Sequence, residues 1–436
     1  MVPHLLSIAL DSVITMDCRL IPAAAIRAVA LVLLPLLLLA PALQAQDAVR
    51  PSLAGEAAAE SRRQSTEQIP YNLRLGPVRF LFSMTTGIEY NDNINLSETD
   101  DQSDVIIRPQ FNIDAIWPVT QLNTLKLDLG VGYSFYLEHP NANTNGVFIQ
   151  PGSQIAFDIF IQDFRINLHD RFLLQQDPVD QLQLSNVVDY GRFENTAGIS
   201  VLWDLNKAVL TFGYDHYTFV STTDTFSYLD RNAEELNFSA YFALTSTTGA
   251  GLETAAVYNY YSQEFLNNSV ALIVGPFVET QISNYIKLRA AAGYQLIDFD
   301  SGGGVDDSSD ASNPYINIVL SHRINAAVTQ TISAGHEAQL GVNSNFIVLN
   351  YVRHTATWNI INGLLIGTEF FYESGDDSGG IFSENIQRYG GAATLGYQLT
   401  PHVTLGLRYQ YIQKQSDQPG RDYKQNSVSL AGTYSF

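Results

Sequence analysis

The chain has 436 residues, and only 15% of them are charged, although Tyr and Phe reach 23 each and Gly reaches 30. Soluble globular proteins carry nearer a quarter of charged residues, and a helical membrane protein needs continuous apolar runs of about twenty residues, so neither class fits. Twenty-three Lys and Arg face 44 Asp and Glu, a net charge of −21, which excludes a nucleic-acid partner, since polyphosphate rewards clustered Lys and Arg.

In chain order, the first element is an export signal. Residues 28–43 read AVALVLLPLLLLAPAL, with Arg19 and Arg27 ahead and small residues around Ala42 to Ala45. A basic region, a short apolar core and a small-residue exit define a secretory signal peptide. Pro35 and Pro41 interrupt the core, which is short for a membrane span. The expectation is a signal peptide over residues 1–45, cut after Ala45. Its removal leaves the net charge at −21, because Arg19 and Arg27 balance Asp11 and Asp17. The sole cysteine, Cys18, leaves with it, so the mature chain has no disulfide and no thiolate metal site. Residues 46–79 have no clear period and read as a periplasmic leader, disordered or entering a barrel mouth.

From Phe80 onward the hydrophobic pattern has a period of two. Leu125, Leu127, Leu129, Val131, Tyr133 and Phe135 alternate with Lys126, Asp128, Gly130, Gly132 and Ser134. Leu236, Phe238, Ala240 and Phe242 alternate with Glu235, Asn237, Ser239 and Tyr241. Similar runs cover 285–294, 402–411 and 427–436, whereas 345–360 alternates weakly. Strands point successive side chains to opposite faces, and many runs reach the ten or so residues that cross a bilayer at a tilt. Lipid requires every backbone group to be paired, which forces closure of the sheet. Short connections at 117–121, 205–207, 246–249, 361–363 and 399–402 alternate with long polar ones at 92–103, 175–189, 222–231, 300–313 and 375–384. Short turns on one side and long loops on the other are the two rims of an outer-membrane barrel. The predicted fold is an all-β, transmembrane antiparallel β-barrel over residues 80–436, with about 18 strands, or 16 as the nearest alternative. It ends on Tyr434 and Phe436, an aromatic pair expected to act as the signal for the barrel-assembly machinery.

The opening strand and first loop read Gly87-Ile-Glu-Tyr-Asn-Asp-Asn-Ile-Asn-Leu-Ser97. With the aromatic-x-Phe ending, this resembles the β-barrel porin type 2 group of outer-membrane proteins. The motif spans about ten residues and the architecture covers 80–436. The resemblance implies a large barrel without an established substrate, often met near genes for surface polysaccharide assembly. It brings no catalytic residues.

A barrel of this size is too wide to be filled by its own side chains. The alternation places Lys126, Asp128, Arg165, Asn167, His169, Arg171, Asp215, Glu235, Lys287, Arg289, Glu337, Glu369 and Arg408 on the lumen face, with Tyr136 and Tyr241. Two readings stand for each. Basic and acidic patches on different walls would set up a transverse field that orients solutes; or the charges point inward because lipid disfavours them, by roughly 2–4 kcal/mol for Arg or Lys at the midplane. Arg165, His169 and Arg171 form the first candidate selective wall, Lys287 and Arg289 the second. The acidic loops at 98–104, 298–310 and 375–377 have oxygen ligands suited to Ca²⁺ or to bridging lipopolysaccharide phosphates, but lack EF-hand spacing; a solvated, repulsive surface is the simpler account. No metal or cofactor is expected. The histidines at 139, 169, 216, 322, 336, 354 and 402 are scattered, and neither G-x-S-x-G nor H-E-x-x-H occurs, so no catalysis is expected. The functional expectation is passive diffusion of small hydrophilic solutes, with outer-membrane lipid and lipopolysaccharide as surroundings. The alternatives are a conduit for a surface polysaccharide and a non-conducting scaffold or adhesin.

Overall fold

The computed structural model describes residues 71–140, 146–179, 181–361, 363–380 and 383–436. The expected signal peptide and residues 46–70 of the leader lie outside the described residues.

Among the described residues, the regular structure is strand apart from one 3-10 turn at Asp224–Leu229. The strands are β1 (Leu73–Leu75), β2 (Val78–Asn91), β3 (Asp104–Pro118), β4 (Thr124–Tyr136), β5 (Gly146–Ile149), β6 (Gln154–Ile161) and β7 (Phe164–Gln175). They continue with β8 (Arg192–Asp204), β9 (Ala208–Ser221), β10 (Arg231–Ala243), β11 (Thr248–Tyr261), β12 (Ser269–Ser283), β13 (Ile286–Phe299) and β14 (Ala311–Arg323). The last are β15 (Val328–Leu340), β16 (Phe346–Ile361), β17 (Leu364–Asp377), β18 (Asn385–Thr400), β19 (Val403–Ser416) and β20 (Tyr423–Ser435). Each wall strand pairs antiparallel with its neighbours in sequence, and β20 returns to β2 from Ser83↔Ser435 to Asn91↔Ser427. That last pairing closes the sheet, as lipid requires. β5 and β6 both lie between β4 and β7 and are two halves of one wall strand. β1 is a short addition to the start of β2, so the closed barrel has 18 strands.

The first wall strand begins at Val78, two residues ahead of Phe80. β1 folds back on it through Gly76, whose φ of +62° suits glycine. Asn72 extends this pairing, since its side chain accepts from the Phe82 N–H and donates to the Phe82 carbonyl. It thereby satisfies a stretch of β2 that β20 does not reach. The weakly alternating segment 345–360 is β16, paired along its length with β15 and β17. Its inward positions include Tyr351 and Arg353, and a bulky aromatic there blurs the apolar/polar contrast.

Register partners share a face, so the two phases run continuously around the ring. The outward phase carries Leu395, Leu405, Leu407 and Leu430, which remain largely exposed on the chain alone. A band of exposed Leu, Ile and Val around a closed sheet fits hydrocarbon, not water. Outward aromatics gather toward both strand ends: Tyr90, Phe135, Tyr294, Tyr372 and Tyr409 toward the long loops, Trp117, Trp358, Tyr397 and Tyr434 toward the short turns. On β18 the eight-residue interval from Tyr389 to Tyr397, both outward and exposed, at roughly 3.3 Å per residue and a tilt near 40°, spans about 20 Å, on the scale of the apolar band of such barrels. Leu407→Arg, in the middle of this band, is expected to cost about 2–4 kcal/mol. Urea unfolding of the refolded barrel in lipid vesicles measures that cost.

Candidate permeation lumen

The inward phase is polar and heavily cross-linked. Lys126 pairs with Asp158 at 3.0 Å, and Asp128 accepts from Gln154 at 3.0 Å. Gln154 in turn accepts from Arg171 Nε at 3.2 Å. His169 lies buried against Asp215 at 2.8 Å, with Asn167 on its other ring nitrogen at 3.0 Å. Arg165 sits over the Phe160 ring. Glu235 accepts from Asn237 and Glu337 from Gln339. Arg289 lies between Glu253 and Glu279, and Glu253 also accepts from the Tyr315 hydroxyl. Arg408 donates to Glu369 from both terminal guanidinium nitrogens, Nη2 at 2.8 Å and Nη1 at 3.1 Å. Lys287 is exposed opposite Gln281. These contacts bring His169 together with Asn167 and Asp215, and Arg408 together with Glu369, whereas Lys126, Glu235, Arg289 and Glu337 contact residues outside the predicted set. His169 and Arg289, from the two candidate basic walls, each touch a carboxylate. Tyr136 is buried beside Ile94 and Ile106, while Tyr241 stacks on Phe277.

The connection between β7 and β8, residues 176–191, does not stay at its own wall. It leaves between the fifth and sixth strands of the ring and bonds to the fifteenth to seventeenth, roughly half-way round. Arg388 Nη1 on β18 donates to the Val179 carbonyl at 2.6 Å, and Lys414 Nζ on β19 donates to Ser185 Oγ at 3.0 Å. Asn186 N–H donates to the Leu96 carbonyl, and Gln183 reaches both Val342 N–H and Asp377. Apolar residues reinforce the crossing: Leu184 and Tyr190 pack with Phe219, Phe226, Leu229, Leu266 and Val342. Burial pushes the Tyr190 phenol up to about 12. Residues 176–179 and 181–191 are thus a strap across the bore.

The strap is fastened by ion clusters absent from the predicted set of lumen residues. Glu373 accepts from Arg388 at 2.6 Å and from Arg353 at 2.8 Å. Glu384 holds Lys414 and Arg421, each at 2.8 Å, and both the Lys414 and Glu384 side chains are 0% exposed. Lys414 and Glu373 continue the inward phases of Arg408 and Glu369; carrying those alternations a few residues further would have found them.

A second element narrows the bore. Pairing of β15 with β14 stops at Ile316↔His336, although β15 runs on to Leu340. Beyond that point Ala338 gives and accepts bonds with the Gln295 side chain of β13, two strands away. The end of the β15–β16 hairpin therefore bends over the inner face and meets the strap at Val342. Strap, hairpin and wall residues from β8 to β16 line a partly open chamber of about 620 Å³. Its lining includes Glu194, Asp215, Glu235, Arg231, Arg353 and Tyr217.

The long loops interlock over this end. Asp307 accepts from the backbone of Asn345 and Ser309 and from the Ser378 hydroxyl, while Asn267 donates to the Asp307 carbonyl and to Asn345. Burial alone would raise the Asp307 carboxyl, but the Ser378 hydroxyl and the Asn345 and Ser309 N–H groups outweigh it and hold it below the usual carboxylate range. A depressed carboxylate stabilises the fold above its unfolded pKa, and the contribution is lost as pH falls through the folded value. Amide exchange at residues 300–310 and 343–345 is therefore expected to accelerate as pH falls below about 4, after correction for intrinsic rates. In Asp307→Asn that acid step should vanish.

Together, a closed ring of 18 strands, an apolar outer band and a polar, partly open interior define a transmembrane barrel of the porin type, the architecture that the type 2 resemblance implies. Among solved structures, the chain is similar to a BenF-like porin from Pseudomonas fluorescens Pf-5, with 12% identity, 83% of this chain and 100% of that chain covered, and a TM-score of 0.48. It is likewise similar to OpdL of Pseudomonas aeruginosa, at 13% identity, 83% and 99% coverage and a TM-score of 0.46. A third is OccK2 (OpdF) of the same organism in complex with glucuronate, at 11% identity, 82% and 98% coverage and a TM-score of 0.47. No protein-family model and no curated protein matches the sequence.

Proposed function

We propose that this chain is an outer-membrane channel for passive diffusion of small hydrophilic solutes. The observation that carries the reading is the interior: charged and polar groups line a closed barrel that they do not fill, leaving a chamber of about 620 Å³ beneath the strap. That volume suits a small solute. The crossing strap and the inbent hairpin count against a wide conduit for a polysaccharide chain, and the unfilled chamber counts against a pure scaffold. In this reading Arg165, His169, Arg171, Lys287 and Arg289 act as parts of a mixed polar wall, in which His169 and Arg289 each contact a carboxylate. Swelling of proteoliposomes tests it: pentoses and hexoses should enter faster than di- and trisaccharides. Equal rates for all sizes would favour the polysaccharide conduit, and no swelling would favour a scaffold.

The reading includes residence in the outer membrane among lipid and lipopolysaccharide, after export and removal of residues 1–45. Tyr434 and Phe436 serve in it as the signal to the barrel-assembly machinery. Both are exposed on the outward face, with Phe436 N–H bonded to the Phe82 carbonyl at the seam. Removal of Phe436 is expected to lower the yield of heat-modifiable folded barrel in cells, while refolding of the purified chain in detergent changes little. Equal yields in cells would remove the signal role.

A further inference from the structure

Part of the chamber beneath the strap is apolar. Ala233, Ala255, Val257, Ala271, Ile273 and Ile297 line it from β10 to β13. The register makes this floor continuous: Val257, Ala271 and Ile297 stand in one row across three strands, and Ala255 and Ile273 in the next. Apolar side chains facing a wet bore leave a surface that the apolar part of a solute can cover.

Charge of opposite sign stands at two places beside this floor. Arg231, at the start of β10, lines the chamber with its guanidinium over the Tyr217 and Phe219 rings, 5.4 and 5.1 Å from their centroids. Among the described residues no acceptor bonds to that guanidinium, and its Nε is enclosed without a partner. Glu194, on the far side of Phe219 in the register, is engaged by Arg192 and by the Tyr217 hydroxyl. Arg353, the other cation of the lining, is held by Glu373. Four residues along β10 from Arg231 stands Glu235, in register with Asp215 on β9, and both line the chamber. Glu235 also accepts from Asn237, and Asp215 meets His169. A carboxylate has about four lone-pair sites, so each can take a further donor. Glu337, bonded to Gln339, faces the chamber from the inbent hairpin.

We propose that the chamber binds a zwitterionic peptide of two or three residues, its carboxylate on Arg231, its ammonium at Asp215 and Glu235, and an aliphatic side chain over the apolar floor. A guanidinium held flat on aromatic rings keeps its edge free, and its fork matches a carboxylate. Four residues of strand span roughly 13 Å, while three extended peptide residues reach about 10 Å, and the Arg231 and Glu235 side chains close the rest. A simple anion would meet Asp215 and Glu235, and a simple cation would meet Arg231, so a solute carrying both charges suits the site better than either. The volume lies within the range of small-molecule sites. The site rests on the channel reading for its purpose, as a stopping point for a permeating solute, but its occupancy does not depend on current flow.

The test is equilibrium binding to the full refolded barrel in detergent, by calorimetry and saturation-transfer NMR. The probes are alanyl-leucyl-alanine, its anionic N-acetyl derivative, its cationic C-terminal amide, and alanyl-glycyl-alanine. The leucyl zwitterion should bind in the millimolar range, each charge-blocked derivative about tenfold weaker, a gap of ~1.4 kcal/mol, and the glycyl peptide severalfold weaker for want of the floor contact. Arg231→Gln should abolish the difference between peptide and amide, and Glu235→Gln should shrink that between peptide and N-acetyl derivative, with the folded gel band unchanged. The comparison of derivatives on the unaltered barrel does not depend on either variant folding. Equal binding of the peptide and either blocked derivative, a glycyl peptide that binds as tightly, or discrimination against the amide that survives Arg231→Gln would overturn the proposal. A barrel that binds the peptide but passes no solute would overturn the channel reading and leave the site standing; one that conducts but binds no peptide would do the reverse.

Discussion

Lys414→Met is expected to lower the unfolding free energy of the refolded barrel by about 3 kcal/mol, the lower end of the range for breaking a buried ion pair. Lys414 and Glu384 are both fully enclosed, so neither can recover its lost partner from water. The effect sits at the lower end because Arg421 also holds Glu384, from a partly exposed position. The double substitution Lys414→Met with Glu384→Gln should cost less than the sum of the singles, since the stranded carboxylate is then absent. Urea midpoints for the four species of this cycle supply the measurement. An additive cycle would mean that the pair is not coupled. The same substitution removes the bond from Lys414 to Ser185, so amide exchange along the strap should quicken as well.

Replacing residues 179–188 with a short Gly-Ser linker is expected to raise single-channel conductance severalfold. Barrel walls of this strand number leave an aqueous interior when nothing crosses them, and the strap crosses from β7 to the side formed by β17, β18 and β19. The replacement also deletes Leu184 from the apolar cluster under the loops and frees Val342 from Gln183. The β15–β16 hairpin would then lose its partner at the centre of the mouth, which enlarges the expected change. The wall itself should persist, because its ladder bonds do not involve the strap; the gel shift on heating checks this. Unchanged current through a folded variant would show that the strap does not set the width.

Much of the barrel was legible because a strand's period of two leaves a direct trace when one face meets lipid and the other meets water. Val403, Leu405 and Leu407 against Thr404 and Arg408 suffice to show it, and their partners in the folded ladder share those phases. Connection lengths likewise marked the two rims. What was not legible depends on which strands meet. His169 and Asp215 lie far apart in sequence and adjoin only through the β7–β8–β9 register, so their contact could not be read along the chain. The strap was visible only as a long polar loop, since its partners Arg388 and Lys414 lie about two hundred residues onward. The Gln150-Pro-Gly-Ser153 turn did carry a signature, Pro-Gly between two strand-like runs, but as a break inside a wall strand its meaning needed β4 and β7 on either side.

Single-channel recording in a planar bilayer tests the central claim most directly. The purified, refolded barrel should give stable current steps whose size rises in proportion to bulk salt, as expected of a water-filled path lined by paired charges. A silent bilayer, from protein that still shows the heat-modifiable folded band, would contradict the account of this barrel as an open diffusion channel.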